Sequence, residues 1–467
     1  MSKYLMIDFG STFTKLTAVD TEKEDIIGTA SHFTTVDTDI CIGYHNALKV
    51  LKEKIGQDVK FDSIVSCSSA AGGLKMCAIG LVEELTVEAA KRVCLGAGAK
   101  VDLVFSHHIN KHEVQEITDM KIDIILLAGG TDGGNSECVL YNAEMLGKAG
   151  IKIPVIYAGN KSCVDEIEDI FAKYGIDGYI CENVMPQINV LNIPSAREKI
   201  RDIFLKNIIV AKGIKKIESE IDKVILPTPE AVLKACNLLS KGYKHEFGLG
   251  ELVCVDIGGA TTDMYSMASA SAKRMDVVLK GLAEPYAKRT VEGDLGMRYS
   301  SLGVLKALSH EEIEMINDDE NIDMEKELRY RNEHVDVVFN SGEEARIDAI
   351  IGGICVDKAM SRHVGKIEEM FSPMGKVYNQ TGKDLTRIQY VIGTGGVLVN
   401  STDPLKILSK VKGSKKDYLE LRPQYPHYLL DKDYILAAMG LLSEVDPMLA
   451  LKIMKKHMKE IKNIEEK

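Results

Sequence analysis

Two stretches of the chain end an apolar run in an aspartate and then turn through small residues. The first reads Met6-Ile7-Asp8-Phe9-Gly10-Ser11-Thr12, and the second reads Val255-Asp256-Ile257-Gly258-Gly259-Ala260-Thr261-Thr262-Asp263. Glycine permits close backbone approach, and consecutive turn N–H groups make a concavity that accepts a phosphate oxygen. A carboxylate at a strand end can hold Mg²⁺, usually through water. Asp8 and Asp256 are therefore candidate catalytic and metal-positioning groups. Gly10, Ser11, Thr12 and the cationic Lys15 are the candidate phosphate binders of the first turn. Gly258, Gly259, Thr261 and Thr262 are those of the second. Either stretch alone also fits a plain Asp–Gly turn. Their recurrence about half a chain apart argues for two turns that clamp a polyphosphate and its metal between similar halves.

Three further groups have chemical potential. In Val391-Ile392-Gly393-Thr394-Gly395-Gly396-Val397 the glycines let a planar ring lie against the backbone, so Gly393, Gly395 and Gly396 are candidates to border an adenosine. A strand-to-helix turn gives the same pattern. Asp132 sits in the glycine-rich run 128–135 after a buried apolar stretch, and could orient an attacking water. The competing reading is a loop cap bonded to local N–H groups. Lys288, Arg289, Glu292, Asp294 and Arg298 form a mixed-charge run that could line a cleft, bind a partner or make a solvated network. His107, His108 and His112 have no accompanying carboxylate or cysteine pattern and read as surface histidines.

The elements that must position these groups alternate between strand and helix. Segments 3–9 and 13–20 predict a β-hairpin around Gly-Ser-Thr, and 251–266 predicts a second. Helical spacing is expected at 44–55, 81–94, 110–119, 136–149 and 162–174, with strands at 63–67, 101–105, 122–128 and 153–157. Residues 194–222 read as helical, with Lys206, Lys212, Lys215 and Lys216 on a solvated face. The charge-dense region 311–346 predicts a peripheral helical part. Residues 348–371 predict a long amphipathic helix, 389–392 a strand, and 432–463 a C-terminal helix. The fold class is α/β, a mostly parallel sheet covered by helices with an antiparallel part from each hairpin.

With 467 residues, 45% of them apolar, the chain is expected to hold two to four packed units and is not generally disordered. Its 58 basic against 69 acidic residues, a net charge of -11, exclude the basic footprint of a nucleic-acid scaffold. Asp8 interrupts the N-terminal apolar run, so no secretory signal is expected. No run approaches the ~20 apolar residues of a membrane helix. The ten cysteines form no CxxC pair and read as reduced core thiols of a cytoplasmic protein. The GxxxxGK[ST] loop, the complete GxGxxG motif and the protein-kinase set are absent.

In order, Asp-x-Gly-Ser-Thr, Asp-x-Gly-Gly-Ala-Thr-Thr-Asp and Gly-Thr-Gly-Gly resemble the two phosphate motifs and the adenosine motif of the actin, sugar kinase and heat-shock-chaperone ATPase superfamily. Ala437-Ala438-Met439-Gly440 resembles that superfamily's late connecting helix. Leu127–Asn135 and Lys288–Arg298 resemble the MutL-type accessory proteins of glutamate mutase (methylaspartate mutase). The resemblance implies two actin-like (ribonuclease H-like) domains facing each other across a nucleotide cleft. The first domain would span 1–250 with its insertions. The second would span 251–430 with a charged helical insertion near 306–346, and a C-terminal helix, 431–467, would pack back on the first. It further implies ATP or ADP with Mg²⁺, no bound cobalamin, and an ATPase that acts as chaperone or reactivase for an adenosylcobalamin-dependent mutase. Neither nucleic acid nor membrane is an expected partner. Where heat-shock ATPases carry a glutamate, this chain has Ala158-Gly159-Asn160, and a neutral amide cannot act as a base. A small-molecule kinase, a polymerising actin-like protein, and a nucleotide binder without turnover stand as alternatives.

Overall fold

Burial runs without alternation from Leu5 to Phe9, Asp8 included, because Lys3–Phe9 (β1) is a central strand with both faces covered. In the computed structural model, which describes residues 2–10, 12–34, 40–69, 74–211, 220–273, 277–337, 339, 341–372, 375–413 and 417–461, β1 turns into the antiparallel Phe13–Asp20 (β2), with Asp8 opposite Lys15. Asp25–Phe33 (β3) pairs with β2. After the helix Ile40–Ile55 (α1), Ser63–Ser68 (β4) returns parallel to β1.

The chain forms two compact units: Met1–Gly72, Val210–Lys280 and Glu284–Lys467 make one, and Gly73–Ile209 with Gly281–Ala283 make the other. The second unit alternates strand and helix: Lys75–Gly80 (β5), Glu88–Gly96 (α2), Lys100–Ser106 (β6), Lys111–Asp119 (α3), Ile124–Leu127 (β7), Glu137–Lys148 (α4), Val155–Tyr157 (β8), Val164–Tyr174 (α5) and Gly178–Ile180 (β9). Asn110 starts α3 with a reciprocal capping box, and Gly175 ends α5 in the left-handed conformation. All five strands are parallel, in the order β6-β5-β7-β8-β9. Ile79, Leu127, Leu146, Val155 and Ile167 belong to a core of this unit's own. From the sequence this region is expected within the first domain, 1–250, among its insertions.

Pro194–Ala211 (α6) leads out of it, and Lys223–Pro227 (β10) pairs parallel with β4. This completes a sheet of order β10-β4-β1-β2-β3. Thr228–Lys241 (α7) and a short hairpin, Gly242–Tyr243 (β11) with Glu246–Phe247 (β12), lead to the second half. There Leu252–Ile257 (β13) pairs antiparallel with Thr262–Met267 (β14). Val277–Lys280 (β15) joins a separate small sheet, and Ala287–Glu292 (β16) pairs antiparallel with β14. Four helices follow: Ser301–Ala307 (α8), His310–Glu320 (α9), Met324–Glu333 (α10) and Gly342–His363 (α11). The hairpin Lys366–Ser372 (β17) and Gly375–Thr381 (β18) completes the small sheet. Tyr390–Thr394 (β19) runs parallel to β13 and is followed by Gly396–Asn400 (α12) and Pro404–Leu408 (α13). His427–Asp431 (β20) runs parallel to β19, and after Leu436–Leu442 (α14) and Pro447–His457 (α15) the strand Met458–Ile461 (β21) closes the edge.

Each half is thus a three-strand antiparallel meander whose first strand carries two parallel strands on its other side. This is the ribonuclease H-like arrangement, twice over, and the chain is a two-domain actin-like α/β protein. One core cluster draws from both halves, including Met6 and Val19, Leu239 of α7, Leu252 and Cys254 of β13, and Met439 of α14. Helices α7 and α14 touch at backbone distance: a Cβ on Gly440 would lie 1.9 Å from the Ala231 carbonyl oxygen. Of the ten cysteines, all but Cys41 and Cys181 are buried.

Three expectations for the elements need correction. The C-terminal segment is two helices and a strand, because Pro447 starts a new helix whose first turn is capped by the Asp446 carboxylate, 3.0 Å from the Leu449 N–H. The helix expected at 348–371 begins earlier and ends at His363, and Lys366–Ser372 instead pairs with β18. The helix expected at 81–94 opens with a π-helical turn, Glu83–Val87. Of the helix expected at 194–222, residues 212–219, with Lys212, Lys215 and Lys216, lie outside the described residues.

Candidate nucleotide site

The central strands of the two halves, β1 and β13, both end in the aspartate that precedes the turn. Asp8 is buried and fully engaged. Its Oδ1 accepts the Thr228 hydroxyl (2.7 Å), from the start of α7, and the Cys67 thiol (3.6 Å), from β4. Its Oδ2 accepts the Lys15 ammonium at 3.2 Å. Lys15 Nζ also stands 3.5 Å from the centroid of the Tyr434 ring. Burial works against the Lys15 charge, yet Tyr434, Asp8 and Asp256 together raise its pKa. Tyr434, held at φ 55°, has its phenol pushed up to about 12, chiefly by burial.

The turns themselves are tight. A Cβ on Gly10 would lie 2.6 Å from the Phe13 carbonyl oxygen, so only glycine fits. In the second turn the Gly258 N–H bonds the Thr261 carbonyl at 2.8 Å. The two turns meet, because a Cβ on Gly259 would come to 3.2 Å of Thr12 Oγ1. That hydroxyl is buried and has no hydrogen-bond partner among the described residues.

Carboxylates crowd this end of the two sheets. Burial, then Asp263, push the Asp256 carboxyl up to about 7; Lys15 opposes the rise, while Asp8 and Asp431 add to it. Asp263 is neutralised by Arg289 at 2.6 Å and accepts the Thr261 hydroxyl at 3.0 Å. Asp431, at the end of β20, is raised by burial even though the Ile435 and Leu436 N–H groups (2.9 and 3.1 Å) and the Thr394 hydroxyl (3.0 Å) bond to it. Such a cluster gains most from a cation that lets Asp256 ionise.

A cavity of about 570 Å³ opens between the turns. Asp8, Gly10, Thr12 and Lys15 line it from the first half, and Asp256, Gly258, Gly259 and Thr261 from the second. Gly396 also lines it, and a Cβ there would meet nothing within 4 Å. Its volume is that of a small-molecule or cofactor site. Ser11 lies outside the described residues. Three other candidates do not line the cavity. The Thr262 hydroxyl donates to the Leu295 carbonyl at 2.8 Å. Gly393 and Gly395 serve packing: a Cβ would lie 2.7 Å from the Leu408 side chain at the first and 2.3 Å from the Ile257 carbonyl oxygen at the second.

Asp132 belongs to the second unit. Its carboxylate accepts the Asn183 amide at 2.9 Å and the Lys161 N–H at 3.1 Å. Asn160, 1% exposed, accepts from the Gly133 and Ser162 N–H groups (2.9 and 3.0 Å) and donates to the Gly134 and Asn135 carbonyls (3.2 and 3.3 Å). Two buried amides therefore brace the glycine-rich run, and Asn160 is occupied in that bracing. The mixed-charge run is engaged in ion pairs within the chain as well. Besides Arg289 with Asp263, Lys288 bonds Glu284 (3.0 Å), and Glu292 and Asp294 bond Arg362 (2.6 and 2.8 Å). Among the described residues no three potential ligands gather as a metal centre, and no helix is long and apolar enough to cross a membrane. Sequence reasoning missed Tyr434, which carries no local signal. It also missed Thr228, whose Thr-Pro start to α7 was readable as a helix beginning.

A family model described as MutL protein matches residues 4–458. Protein MutL of Clostridium tetanomorphum is 51% identical over 462 residues, which cover 99% of this chain and 100% of that protein. Among solved structures, a ligand-bound xylulose kinase from Lactobacillus acidophilus aligns with TM-score 0.37 and 10% identity, over 99% of this chain and 93% of that one. Component A of (R)-2-hydroxyglutaryl-CoA dehydratase from Acidaminococcus fermentans aligns with TM-score 0.30 and 9% identity, over 98% and 99% of the two chains. At these scores the fold rests on the chain's own strand order.

Proposed function

The chain belongs to the MutL protein family, and from that premise we propose that it binds and hydrolyses ATP as an accessory protein of an adenosylcobalamin-dependent mutase of the glutamate mutase kind. The observation that carries the nucleotide part is the meeting of two Asp–Gly turns over one cavity, with the buried Thr12 hydroxyl between them unpartnered among the described residues. An orphaned donor there fits a phosphate oxygen, and the crowded carboxylates fit a divalent cation.

Asp8 and Asp256 would hold Mg²⁺ through water, and the ion would neutralise charge on the phosphates. Turn N–H groups around Gly10–Thr12 and Gly258–Thr261 would hold the β- and γ-phosphates. Lys15 stands beside Asp8, where its ammonium can turn from carboxylate to phosphate oxygen. The Tyr434 ring lies against it. Phosphoryl transfer of this kind is mostly positioning and electrostatic stabilisation, which such a cleft supplies without a nucleophile of its own. ATP and ADP would favour different openings of the cleft, and that motion would loosen the mutase so that damaged cofactor leaves. No cobalamin is bound by this chain in the proposal.

The test is an ATPase and reactivation assay with and without an inactivated mutase. Mg²⁺-dependent turnover that rises with the mutase, and is lost in Asp8→Ala, is the expected result. A protein that binds no nucleotide, or binds it and leaves the mutase inactive, refutes the proposal.

A further inference from the structure

The nucleotide reading leaves one part of the cavity unexplained. Val335, Val337 and Phe339, from the connection between α10 and α11, line the same space as the phosphate turns, as do Val397 and Val399 around α12. A polyphosphate has no use for apolar walls, whereas a planar nucleoside base does. Resting on that reading, we propose that Val335, Val337 and Phe339 of the α10–α11 connection form the wall against the nucleoside, and that Arg298 is the positioning residue that fixes this wall to the phosphate turn.

Arg298 joins the two through both backbone and side chain. Its N–H bonds the Gly259 carbonyl at 2.8 Å, within the second turn. Its guanidinium reaches the wall, with Nε and Nη2 donating to the Val337 carbonyl at 3.2 and 3.0 Å. The remaining N–H groups go to the Met297 carbonyl (2.9 Å) and to Asp348 of α11 (3.3 and 2.8 Å). All five donors of the fork are thereby used, so none is left for a phosphate, and the role is to position. Asp348 is shared with Arg331 at 2.6 Å, a side chain with no exposure that also bonds Glu327 and Glu344. The Phe339 ring covers both guanidinium carbons at 5.5 Å. The wall is therefore bolted to α10, α11 and the Gly259 turn at once. The charge-dense insertion, which reads as peripheral in the sequence, reaches the site through this bolt.

The experiment compares Mg²⁺-ATP with Mg²⁺-tripolyphosphate by calorimetric titration of the full chain. Wild-type protein should prefer ATP at least tenfold, a difference of about 1.4 kcal/mol. Arg298→Ala should lose about tenfold in ATP affinity and keep tripolyphosphate affinity within about twofold. Arg298→Lys should not restore it, since an ammonium cannot span carbonyl and carboxylate together. Val335 makes none of the hydrogen bonds named above, and Val335→Glu should lose ATP selectivity in the same way; it decides alone should Arg298→Ala fail to fold. Selectivity that persists in the folded variants, or tripolyphosphate affinity that falls in step with ATP, overturns the inference. Wild-type protein that binds neither ligand overturns the nucleotide reading as well.

Discussion

Replacing Asp256 with asparagine should remove a pH dependence built into the metal-free protein. Burial and then Asp263, with Asp8 and Asp431 behind them and Lys15 opposing, hold the Asp256 carboxyl at about 7 instead of its ordinary 3.8. A folded pKa above the unfolded one gives a contribution to stability that is complete below the unfolded value and is lost as pH rises through the folded value. In EDTA, wild-type protein should therefore lose stability between about pH 4 and pH 7 on account of this residue. A shift of that size corresponds to about 4 kcal/mol overall, of which about 3 kcal/mol falls between pH 5 and pH 8. Asp256→Asn cannot ionise, so its stability relative to wild type should improve by about 3 kcal/mol across the same interval. For a unit of this size that is about 4 °C in Tm. Thermal melts of both proteins at pH 5, 6, 7 and 8 make the comparison. Adding Mg²⁺ should narrow the gap at pH 8, because a cation favours the ionised wild-type carboxylate. Melting curves that run parallel over the whole range would show that Asp256 is not held in this electrostatic trap.

Other perturbations have equally definite outcomes. Gly440→Val places a side chain where even a Cβ meets the Ala231 carbonyl at 1.9 Å, and should cost about 3 kcal/mol in a urea titration. His457 bonds Asp25 (2.7 Å) and Asp433 (2.8 Å), which raise its pKa against the effect of burial; its contribution should be present below about pH 6.5 and fade as pH rises through the raised value. His457→Ala should accordingly lose about 1 kcal/mol at pH 6 and less at pH 9. Asn160→Ala should leave the Gly133 N–H without its partner and speed hydrogen exchange across residues 129–135, with no change in nucleotide affinity.

The two hairpins were legible because three signals coincide at each: an apolar run, an Asp–Gly turn, and a second run of strand length. The recurrence of that pattern also exposed the duplication. Residues 73–209 were harder, because strand–helix alternation looks the same whether it extends a sheet or starts another, and only the pairing of β5 with β6 and β7 separates them. Asp446-Pro447 marked a helix start in plain view, but apolar spacing on both sides of it suggested one helix. At the site, Asp8 and Asp256 could be read from the strand ends that carry them. Tyr434 could not, since it carries no local signal; Arg298 and Asn160 stood out by type and place, but the distant partners that occupy them, Val337 and Asp348 for one and Gly133 to Asn135 for the other, could not be read. Gly393 and Gly395 show the opposite limit: a glycine needed for packing and one needed for a ligand look identical in a sequence.

The cluster that unites Met6 and Val19 with Leu239, Leu252 and Met439 has a thermodynamic consequence. The second half also holds a cluster of its own, which includes Val253, Val255, Ile351 and Val391, but the shared cluster covers the opposite face of its sheet through Leu252, Cys254, Tyr265 and Met267, so neither half should melt while the other stays folded. Heat should take both through a single cooperative transition, with a calorimetric enthalpy that matches the van't Hoff value for that unit. Residues 73–209 keep their own interior and are free to give a separate transition. If the first unit binds nucleotide as proposed, added nucleotide should raise one endotherm and leave the other where it was.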